Sequence, residues 1–266
     1  NYVALQALRA IHQTKGDIYN IDFLLVSDEE TGSDDSKYLS KKMAKEYDYC
    51  MVFEAAGLHD EVVTARKGVG TFFIDIEGKA AHAGNHYSDG ADANLEAAHK
   101  ILALTALTAL EKGTTVNVGK ISGGIGANTI SPKAHLTFEL RYTTSEERDR
   151  VLQSVNEIVT NAYVSGTNST LSGGIQRDVM QPSEDQERFV GDINRLCDVS
   201  LPTEHRGGVS DANIVSSQGV PTLDGWGPFG DGDHTIYERA SKASFEKRID
   251  LVTKVFVHFM NGEFSE

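Results

Sequence analysis

The chain has 266 residues, of which 39% are hydrophobic and 24% charged, the balance of an ordinary folded protein. Its 39 acidic and 25 basic side chains give a formal net charge of −14, which argues against a nucleic acid or an anionic membrane as a partner. No apolar run approaches the ~20 residues that a transmembrane helix needs. The two cysteines, Cys50 and Cys197, lie far apart, so neither a disulfide framework nor a zinc ribbon is indicated.

The sequence opens inside a predicted helix. Val3, Ala4, Ala7, Leu8 and Ile11 form an apolar stripe at helical spacing from the first residues onward. The opening shows no initiator methionine and no signal-peptide pattern. We therefore expect that a further part of the protein precedes this chain.

Acidic residues follow two predicted buried strands. The apolar run Phe23–Val26 is typical of a strand that is covered on both faces, as in a parallel sheet between helices. Because the carboxyl ends of neighbouring parallel strands share the edge where ligands bind, we expect Glu29, Glu30 and Glu54 to lie near one cleft. The predicted elements are a strand over Tyr19–Ser27, a helix over Ser36–Glu46 and a strand over Tyr49–Phe53.

The pattern changes near Arg66, where strands and helices begin to follow the order β-α-β-β-α-β of a ferredoxin-like split unit. The capping-box pattern Thr144-x-x-Glu147 marks the start of its second helix. A unit of roughly 110 residues is well within normal domain size. The predicted strands are Thr71–Glu77, Thr115–Ile121, His135–Tyr142 and Ser169–Gln176, and the predicted helices are Asn94–Leu110 and 144–163.

From residue 179 onward helices and strands alternate again. The pattern predicts a helix capped by Ser183, a glycine turn before a short helix, a strand over Gly219–Leu223 and a terminal helix from Ser244. We therefore predict an α/β domain formed by residues 1–66 and 179–266, interrupted by an inserted α+β domain, residues 67–178.

Two adjacent acids, Glu29 and Glu30, lie in the segment DEETGS where the first predicted strand gives way to a loop. Adjacent side chains there point in different directions, so one carboxylate is able to bind a metal while the other faces the reacting water. Metal-assisted hydrolysis uses this division, because the cation lowers the pKa of the water and a nearby carboxylate removes its proton. The alternative is a solvated acidic loop that caps the next helix.

Two more residues are candidate metal ligands. Glu54 ends the second predicted strand, and His234 lies in the glycine-rich acidic loop GDGDHTIYE. Imidazole is the commonest neutral metal ligand, and glycines let a backbone approach a crowded site. Taken alone, Glu54 is more typical of an exposed strand end and His234 of a solvated loop.

The remaining candidates suit contacts with substrate. His82, in the loop GKAAHAG, is a candidate donor that stabilises a developing oxyanion. Asn128 and Arg177 are able to orient a substrate carboxylate, Arg177 through a bidentate fork. Ser210 lies in a partial serine-hydrolase elbow, but the second glycine is absent. For the first three residues, a plain surface or turn position is the alternative.

Six segments together resemble the M20 family of metallopeptidases and amidohydrolases, which includes glutamate carboxypeptidase, acetylornithine deacetylase and aminoacylase. They occur in family order across nearly the whole chain. They are SDEETGS (27–33), MVFEAA (51–56), ARKGVGTFFIDIEGKAAHAG (65–84), GANTISPKAHLTFELRY (126–142), GGVSDAN (207–213) and GPFGDGDHTIYE (227–238).

The resemblance implies an α/β fold: a parallel-sheet zinc-hydrolase catalytic domain, incomplete at its N-terminus, with an inserted ferredoxin-like lid and dimerisation domain. It also implies two zinc ions in the full-length protein and a homodimer formed through the lid. The partner on the substrate side would be a small peptide or an N-acyl amino acid.

The resemblance also implies roles for individual residues. Glu29 resembles the general base, and Glu30 and His234 resemble ligands of one zinc ion. Glu54 resembles a ligand of the second ion, and His82 resembles the lid histidine that supports the tetrahedral intermediate. The residues that resemble contacts to the substrate carboxylate are Asn128, Arg177, Gly208 and Ser210.

The chain departs from the family at its start. A histidine in an H-x-D segment and an aspartate that bridges both ions belong upstream of the first helix, and neither His12 nor Asp17 is in the right context to replace them. Because a catalytic zinc ion wants about three protein ligands, we expect this chain alone to bind zinc weakly or not at all and to be inactive.

The resulting hypothesis is a metal-dependent hydrolase that cleaves an amide or peptide bond next to a free carboxylate, most like the glutamate carboxypeptidases. Within the family, deacetylases and desuccinylases of N-acyl amino acids remain alternatives. A non-catalytic dimerisation module and serine hydrolysis through Ser210 are alternatives from other classes.

Overall fold

The computed structural model describes residues 1–264, which divide into two compact units. The first, here the discontinuous unit, comprises residues 1–66 and 180–264 of the described chain, and the second, the inserted unit, comprises residues 67–179. Among the described residues no helix has the length and apolar character that a bilayer crossing requires.

Seven α-helices and ten short or medium strands are formed by the described residues. In chain order the helices are α1 (Tyr2–Lys15), α2 (Ser36–Ala44), α3 (Ala93–Thr105), α4 (Ser145–Thr160), α5 (Glu184–Cys197), α6 (Asp211–Ser216) and α7 (Lys242–Met260). The strands are β1 (Cys50–Met51), β2 (Val62–Arg66), β3 (Gly68–Glu77), β4 (Thr115–Gly123), β5 (Lys133–Tyr142), β6 (Asn168–Arg177), β7 (Thr203–Arg206), β8 (Thr222–Leu223), β9 (Gly230–Asp231) and β10 (Arg239–Ala240).

The discontinuous unit has one hydrophobic core shared by three long helices and short parallel strand pairs. Helix α1 packs against α7 and buries the predicted stripe, including Val3, Ala7 and Ile11, in this core. Strand β1 pairs in parallel with β8, and β2 pairs in parallel with β7. The parallel α/β character that the sequence predicts for this unit is therefore present, although its strands are short.

The strand predicted over Tyr19–Ser27 does not form. These residues belong to no strand, and Leu24 and Leu25 are exposed by 42% and 61%. A strand needs a neighbour that supplies the other half of each hydrogen-bonded pair, and none of the strands among residues 1–264 pairs with this segment. The prediction of a strand buried on both faces is therefore wrong for this segment.

Strand β1 is also shorter than predicted, and β2 was not predicted at all. The sequence indicated a strand over Tyr49–Phe53, whereas only Cys50–Met51 pair as a regular strand. Strand β2 lies at the end of the first half of the discontinuous unit. At its last residue, Arg66 and Met180 exchange two main-chain hydrogen bonds of 3.0 Å each, so the chain leaves and rejoins this unit at one pair of residues.

The inserted unit is a four-stranded antiparallel sheet with two helices. Its strand order is β4-β5-β3-β6, which is that of the predicted β-α-β-β-α-β unit. Strand β5 alternates as predicted, with Leu136, Phe138, Leu140 and Tyr142 buried. These side chains share a core with the apolar faces of α3 and α4.

Helix α4 begins where the sequence indicated. The Thr144 hydroxyl accepts a hydrogen bond from the Glu147 main-chain N–H, as an N-cap should. The Glu147 carboxylate does not complete the reciprocal capping box. It accepts hydrogen bonds from Thr114 (2.9 Å), Lys112 (2.9 Å) and Arg150 (2.7 Å), and the Arg150 bond comes first in lowering the pKa of this carboxyl to about 2.

We expect Glu147→Gln to lower the free energy of unfolding at neutral pH by about 1–2 kcal/mol, after allowance for solvent screening. Since the pKa of Glu147 is depressed in the folded state, this stabilisation is present above the ordinary glutamate pKa and is lost as the pH falls toward 2. Urea unfolding at pH 7, 4 and 2.5 measures the effect. The neighbouring exposed acid provides a control, because Glu146→Gln should change little at any pH, and an equal loss in both variants would contradict the prediction.

Candidate active site

The acidic side chains of the segment DEETGS lie in different environments. The Asp28 carboxylate accepts hydrogen bonds of 3.0 Å from the main-chain N–H groups of Asp35 and Ser36, at the start of α2. Glu29 and Glu30 form a single 3-10 turn after Asp28, with Glu29 half-buried and Glu30 exposed. The helix-capping alternative therefore applies to Asp28, which fixes the loop that presents the two glutamates.

Glu54 lies shortly after β1, which ends at Met51, and its side chain is half-buried. Burial comes first in raising the pKa of its carboxyl to about 7, and the negative charges of Asp224, Glu29 and Glu30 raise it further. Glu29 and Glu30 therefore lie near enough to Glu54 for their charges to act on it, and a cleft shared by the three glutamates stays a prediction.

The centre of this region is Asp224, an acid that the sequence analysis did not single out. It directly follows β8, the strand that pairs with β1, and it is fully buried. One of its oxygens accepts hydrogen bonds from Arg66 Nε (2.7 Å) and the Ser210 hydroxyl (2.6 Å). The other accepts from the main-chain N–H groups of Gly225 (2.6 Å) and Glu54 (3.3 Å). The signal that would have found it is its place, directly after a buried strand in the same sheet.

A break in the regular main-chain pairing between the segments that follow β1 and β8 explains why the Asp224 side chain is needed. The chain turns at Gly225, which has the left-handed φ of +74°, and the Glu54 N–H donates to the Asp224 carboxylate in place of a main-chain carbonyl. Main-chain hydrogen bonds are present on both sides of this break. Before it, the N–H groups of Cys50 and Val52 donate to the carbonyls of Pro221 (3.0 Å) and Leu223 (2.9 Å), and after it the Ala56 N–H donates to the Pro228 carbonyl (3.1 Å).

The turn Gly207–Ser210 is attached to the same centre. Arg66, only 5% exposed, donates from Nη1 to the Gly208 carbonyl oxygen at 3.0 Å. Ser210, 1% exposed, donates to Asp224 and accepts from the Ala212 N–H at 3.1 Å, which caps the short helix α6. The Ser210 hydroxyl is therefore occupied by two hydrogen bonds, and a direct contact with substrate stays a prediction for this residue and for Gly208.

His234 lies in a different setting from the three glutamates. It is exposed, with φ of +60°, in the hairpin loop between β9 and β10. The hairpin is held by a bidentate pair between Arg239 and Asp231, at 2.6 and 2.9 Å. His234 is thus carried on an exposed loop, and its assignment as a metal ligand stays a prediction.

The donor set for a metal is incomplete in the described chain. The carboxylates of Glu29, Glu30 and Glu54 are oxygen ligands of the kind that a divalent cation prefers. However, no three histidine, cysteine, aspartate or glutamate side chains within residues 1–264 are arranged to hold one ion. The residues described here therefore do not by themselves fit a zinc centre.

In the inserted unit, His82 is exposed and its ring is oriented by its own loop. Its Nδ1 accepts hydrogen bonds of 3.2 Å from the main-chain N–H groups of Gly84 and Asn85. A neutral imidazole that accepts at Nδ1 carries its proton on Nε2. The loop thus leaves a donor N–H on the nitrogen that is not held by the backbone, as an oxyanion-stabilising role requires.

The loop of Asn128 is hydrogen-bonded to the loop of His82. The Asn128 carbonyl accepts from the Ala83 N–H and the Ala81 carbonyl accepts from the Ile130 N–H, both at 2.9 Å. The structure therefore places two predicted site segments side by side within this unit. Arg177 lies apart from them along the chain, 6% exposed at the end of β6.

Comparisons with known proteins agree with this organisation. Residues 64–167 match the M20 family model for a peptidase dimerisation domain. The chain is 26% identical over 241 residues to carboxypeptidase G2 of a Pseudomonas species, an alignment that covers 88% of this chain and 58% of that protein. It is 24% identical over 250 residues to N-acetyl-L-citrulline deacetylase of Xanthomonas campestris, covering 88% of this chain and 65% of that protein. The chain thus spans about three fifths of the length of these curated relatives.

The fold has solved counterparts as well. The crystal structure of aminopeptidase PepT from Bacillus cereus superposes with a TM-score of 0.79 at 22% identity, covering 98% of this chain and 71% of that one. The organisation found here, a mixed α/β unit interrupted by a unit that matches a peptidase dimerisation domain, is thus shared with these relatives and solved structures. The chain is therefore similar to M20 family proteins over most of its length, and residues 64–167 match the dimerisation-domain model of that family.

Proposed function

We propose that the full-length protein hydrolyses an amide or peptide bond next to a free carboxylate, in the manner of a glutamate carboxypeptidase. The observation that carries the proposal is the half-buried carboxyl of Glu54, whose pKa is raised to about 7, first by burial and then by the negative charges of Asp224, Glu29 and Glu30. Similarity to carboxypeptidase G2 supports the choice of reaction. We also propose that the protein uses bound metal, to which Glu30, Glu54 and His234 would contribute only part of a ligand set.

Glu29 is assigned the proton transfers. A half-buried carboxylate on a turn fixed by Asp28 is able to take a proton from the attacking water and return it to the leaving amine. The Nε2–H of His82 would donate to the oxygen that becomes negative in the tetrahedral intermediate. Asn128 and Arg177 are assigned to the substrate carboxylate, since amide and guanidinium donors match its oxygens.

A second candidate is the deacylation of N-acyl amino acids. The similarity to N-acetyl-L-citrulline deacetylase over 88% of this chain favours it. Both reactions cleave an amide bond beside a free carboxylate, so they differ in the acyl group and not in the chemistry assigned to Glu29.

The experiment is a substrate panel on the full-length protein, with and without a chelator. A glutamate-terminated dipeptide, an N-acetyl amino acid and an N-succinyl amino acid are compared, each beside its methyl ester. Cleavage of a free acid but not of its ester, lost with EDTA and restored by zinc, supports the proposal. Cleavage that survives EDTA would favour serine chemistry, and no cleavage of any amide would favour a non-catalytic module.

We further propose that the inserted unit joins two copies of the protein as a homodimer. Strand β4 is at the edge of the sheet, and Ile121 on it is 60% exposed. On helix α3, Leu102 is 72% exposed. An edge strand beside exposed apolar side chains is suited to pairing with a second copy.

The double variant Leu102→Asp/Ile121→Asp is expected to shift the full-length protein from dimer to monomer, because two charges would be buried in the interface. Light scattering coupled to gel filtration measures the mass. Leu58→Asp is the control, since Leu58 is 67% exposed but lies in the discontinuous unit. A dimer that persists in the double variant would contradict the assignment of this surface.

A further inference from the structure

We propose that Asp224 is a positioning residue, which holds Glu54 and the turn Gly207–Ser210 in one fixed arrangement. The inference rests on the proposed function, because it assigns Asp224 a part in the same hydrolytic site. Neither the sequence motifs nor the comparisons single out this residue.

The number of donors explains why the residue is an aspartate. Four donors converge on its two oxygens: Arg66 Nε, the Ser210 hydroxyl and the main-chain N–H groups of Gly225 and Glu54. A carboxylate has about four lone-pair sites, whereas the amide of asparagine has one acceptor oxygen and introduces two donors of its own. Asparagine at this position would therefore leave buried donors without acceptors.

Stability alone does not account for the pair with Arg66. Asp224 is fully buried and Arg66 is 5% exposed, and replacing a buried ion pair by apolar side chains is often neutral or stabilising. The contacts of the pair instead join separate segments of chain. Asp224 holds the Glu54 N–H, and Arg66 holds the Gly208 carbonyl at 3.0 Å. One ion pair thus sets the distance between the strand end that bears Glu54 and the turn that bears Ser210.

The same geometry assigns Ser210 a positioning part. Its hydroxyl proton is directed to Asp224 at 2.6 Å and its oxygen accepts from the Ala212 N–H. The Asp224 oxygen that accepts from Ser210 also accepts from the Arg66 guanidinium. A serine used in this way connects α6 to the buried carboxylate, and its loss should loosen the turn without removing a nucleophile.

The test compares Asp224→Asn and Ser210→Ala with a control in the same unit. Arg248→Lys is the matched control, because Arg248 is 1% exposed and donates to the carbonyl oxygens of Asp60 (2.6 Å) and Glu61 (3.2 Å), which belong to no proposed site segment. Melting temperatures show how far each variant is destabilised. Kinetics on the full-length protein and hydrogen exchange at the Glu54 amide are then measured well below the lowest melting temperature.

For Asp224→Asn we expect kcat to fall on the order of 10²-fold with KM changed less than about threefold, because misplaced groups slow the reaction more than they weaken binding. Exchange at the Glu54 amide should be at least about tenfold faster than in the unchanged protein, since its acceptor is disturbed. Ser210→Ala should show the same pattern with a smaller loss, about tenfold in kcat. Arg248→Lys should leave both kcat and this exchange rate unchanged.

Equal kcat values and equal Glu54 exchange in Asp224→Asn and Arg248→Lys would overturn the inference and leave Asp224 a structural ion pair. If Asp224→Asn does not fold, Ser210→Ala decides, because an unchanged kcat and exchange rate in that variant would overturn the inference as well. The exchange measurement needs no substrate. If the unchanged protein cleaves no amide, the proposed function fails, while faster Glu54 exchange still supports the positioning of Glu54 by Asp224.

Discussion

Glu29→Gln is expected to lower kcat of the full-length protein by about 10²- to 10⁴-fold, the range for loss of a positioned general base. Glutamine keeps the size of the side chain but accepts no proton at neutral pH. KM should change little, because the proton transfer is needed in the transition state and not for substrate binding. Initial rates over a range of substrate concentrations separate the two constants.

The control for this prediction lies in the same loop. Asp34 is exposed and pairs with Lys37 at 2.6 Å, so Asp34→Asn removes one negative charge near α2 without touching the 3-10 turn. We expect its kcat to remain within about twofold of the unchanged protein, as for an ordinary surface substitution. A similar loss in both variants would indicate a general effect of charge on the loop and would remove Glu29 from the role of base.

His82→Ala is expected to lower kcat by about 10²- to 10³-fold, the usual effect of removing one donor to a developing oxyanion. The prediction depends on the Nε2–H that remains when Gly84 and Asn85 donate to Nδ1. His82→Gln should recover part of the activity, because the glutamine amide is able to place an N–H near the same position.

His86→Ala is the matched control for the histidine variant. His86 lies four residues along the same loop, is 66% exposed at its side chain and pairs only weakly with Asp89, at 3.4 Å. Its replacement should leave kcat within about twofold of the unchanged protein. If His86→Ala is as damaging as His82→Ala, the loop as a whole matters and the oxyanion role of His82 is wrong.

Local signals predicted the inserted unit well. The alternation in Leu136, Phe138 and Leu140 places one face of β5 in the core whatever its neighbours are, and Thr144 caps α4 through contacts only three residues away. Such signals depend on side chains that are close in sequence, which one sequence displays directly. The strand order then follows from the small set of arrangements open to this sequence of elements.

Signals that depend on distant partners were harder to interpret. The run Phe23–Val26 has the composition of a buried strand, but whether it becomes one depends on a neighbour that composition does not reveal. His234 lies in the segment GPFGDGDHTIYE, which resembles the M20 family. Its position on an exposed hairpin is nevertheless set by the pairing of Asp231 with Arg239. In both cases the residue types can be read from the sequence, whereas the spatial arrangement depends on partners that are distant in the chain.

Asp224 shows a different limit. Its chemistry is evident only when Arg66, Ser210 and Glu54, separated by up to 170 positions in the chain, are seen around it. A single aspartate before a glycine is commonly a turn residue. The sequence predicts that the carboxylates of Glu29, Glu30 and Glu54 lie near one another, but it does not indicate the buried acid that holds the Glu54 main chain.

The reciprocal bonds between Arg66 and Met180 have a consequence for protein engineering. Because the main chain leaves and returns through one bonded pair of residues, residues 67–179 are able to be excised and replaced by a tight turn with little change in the backbone on either side. The same geometry suits the grafting of a foreign module at this junction.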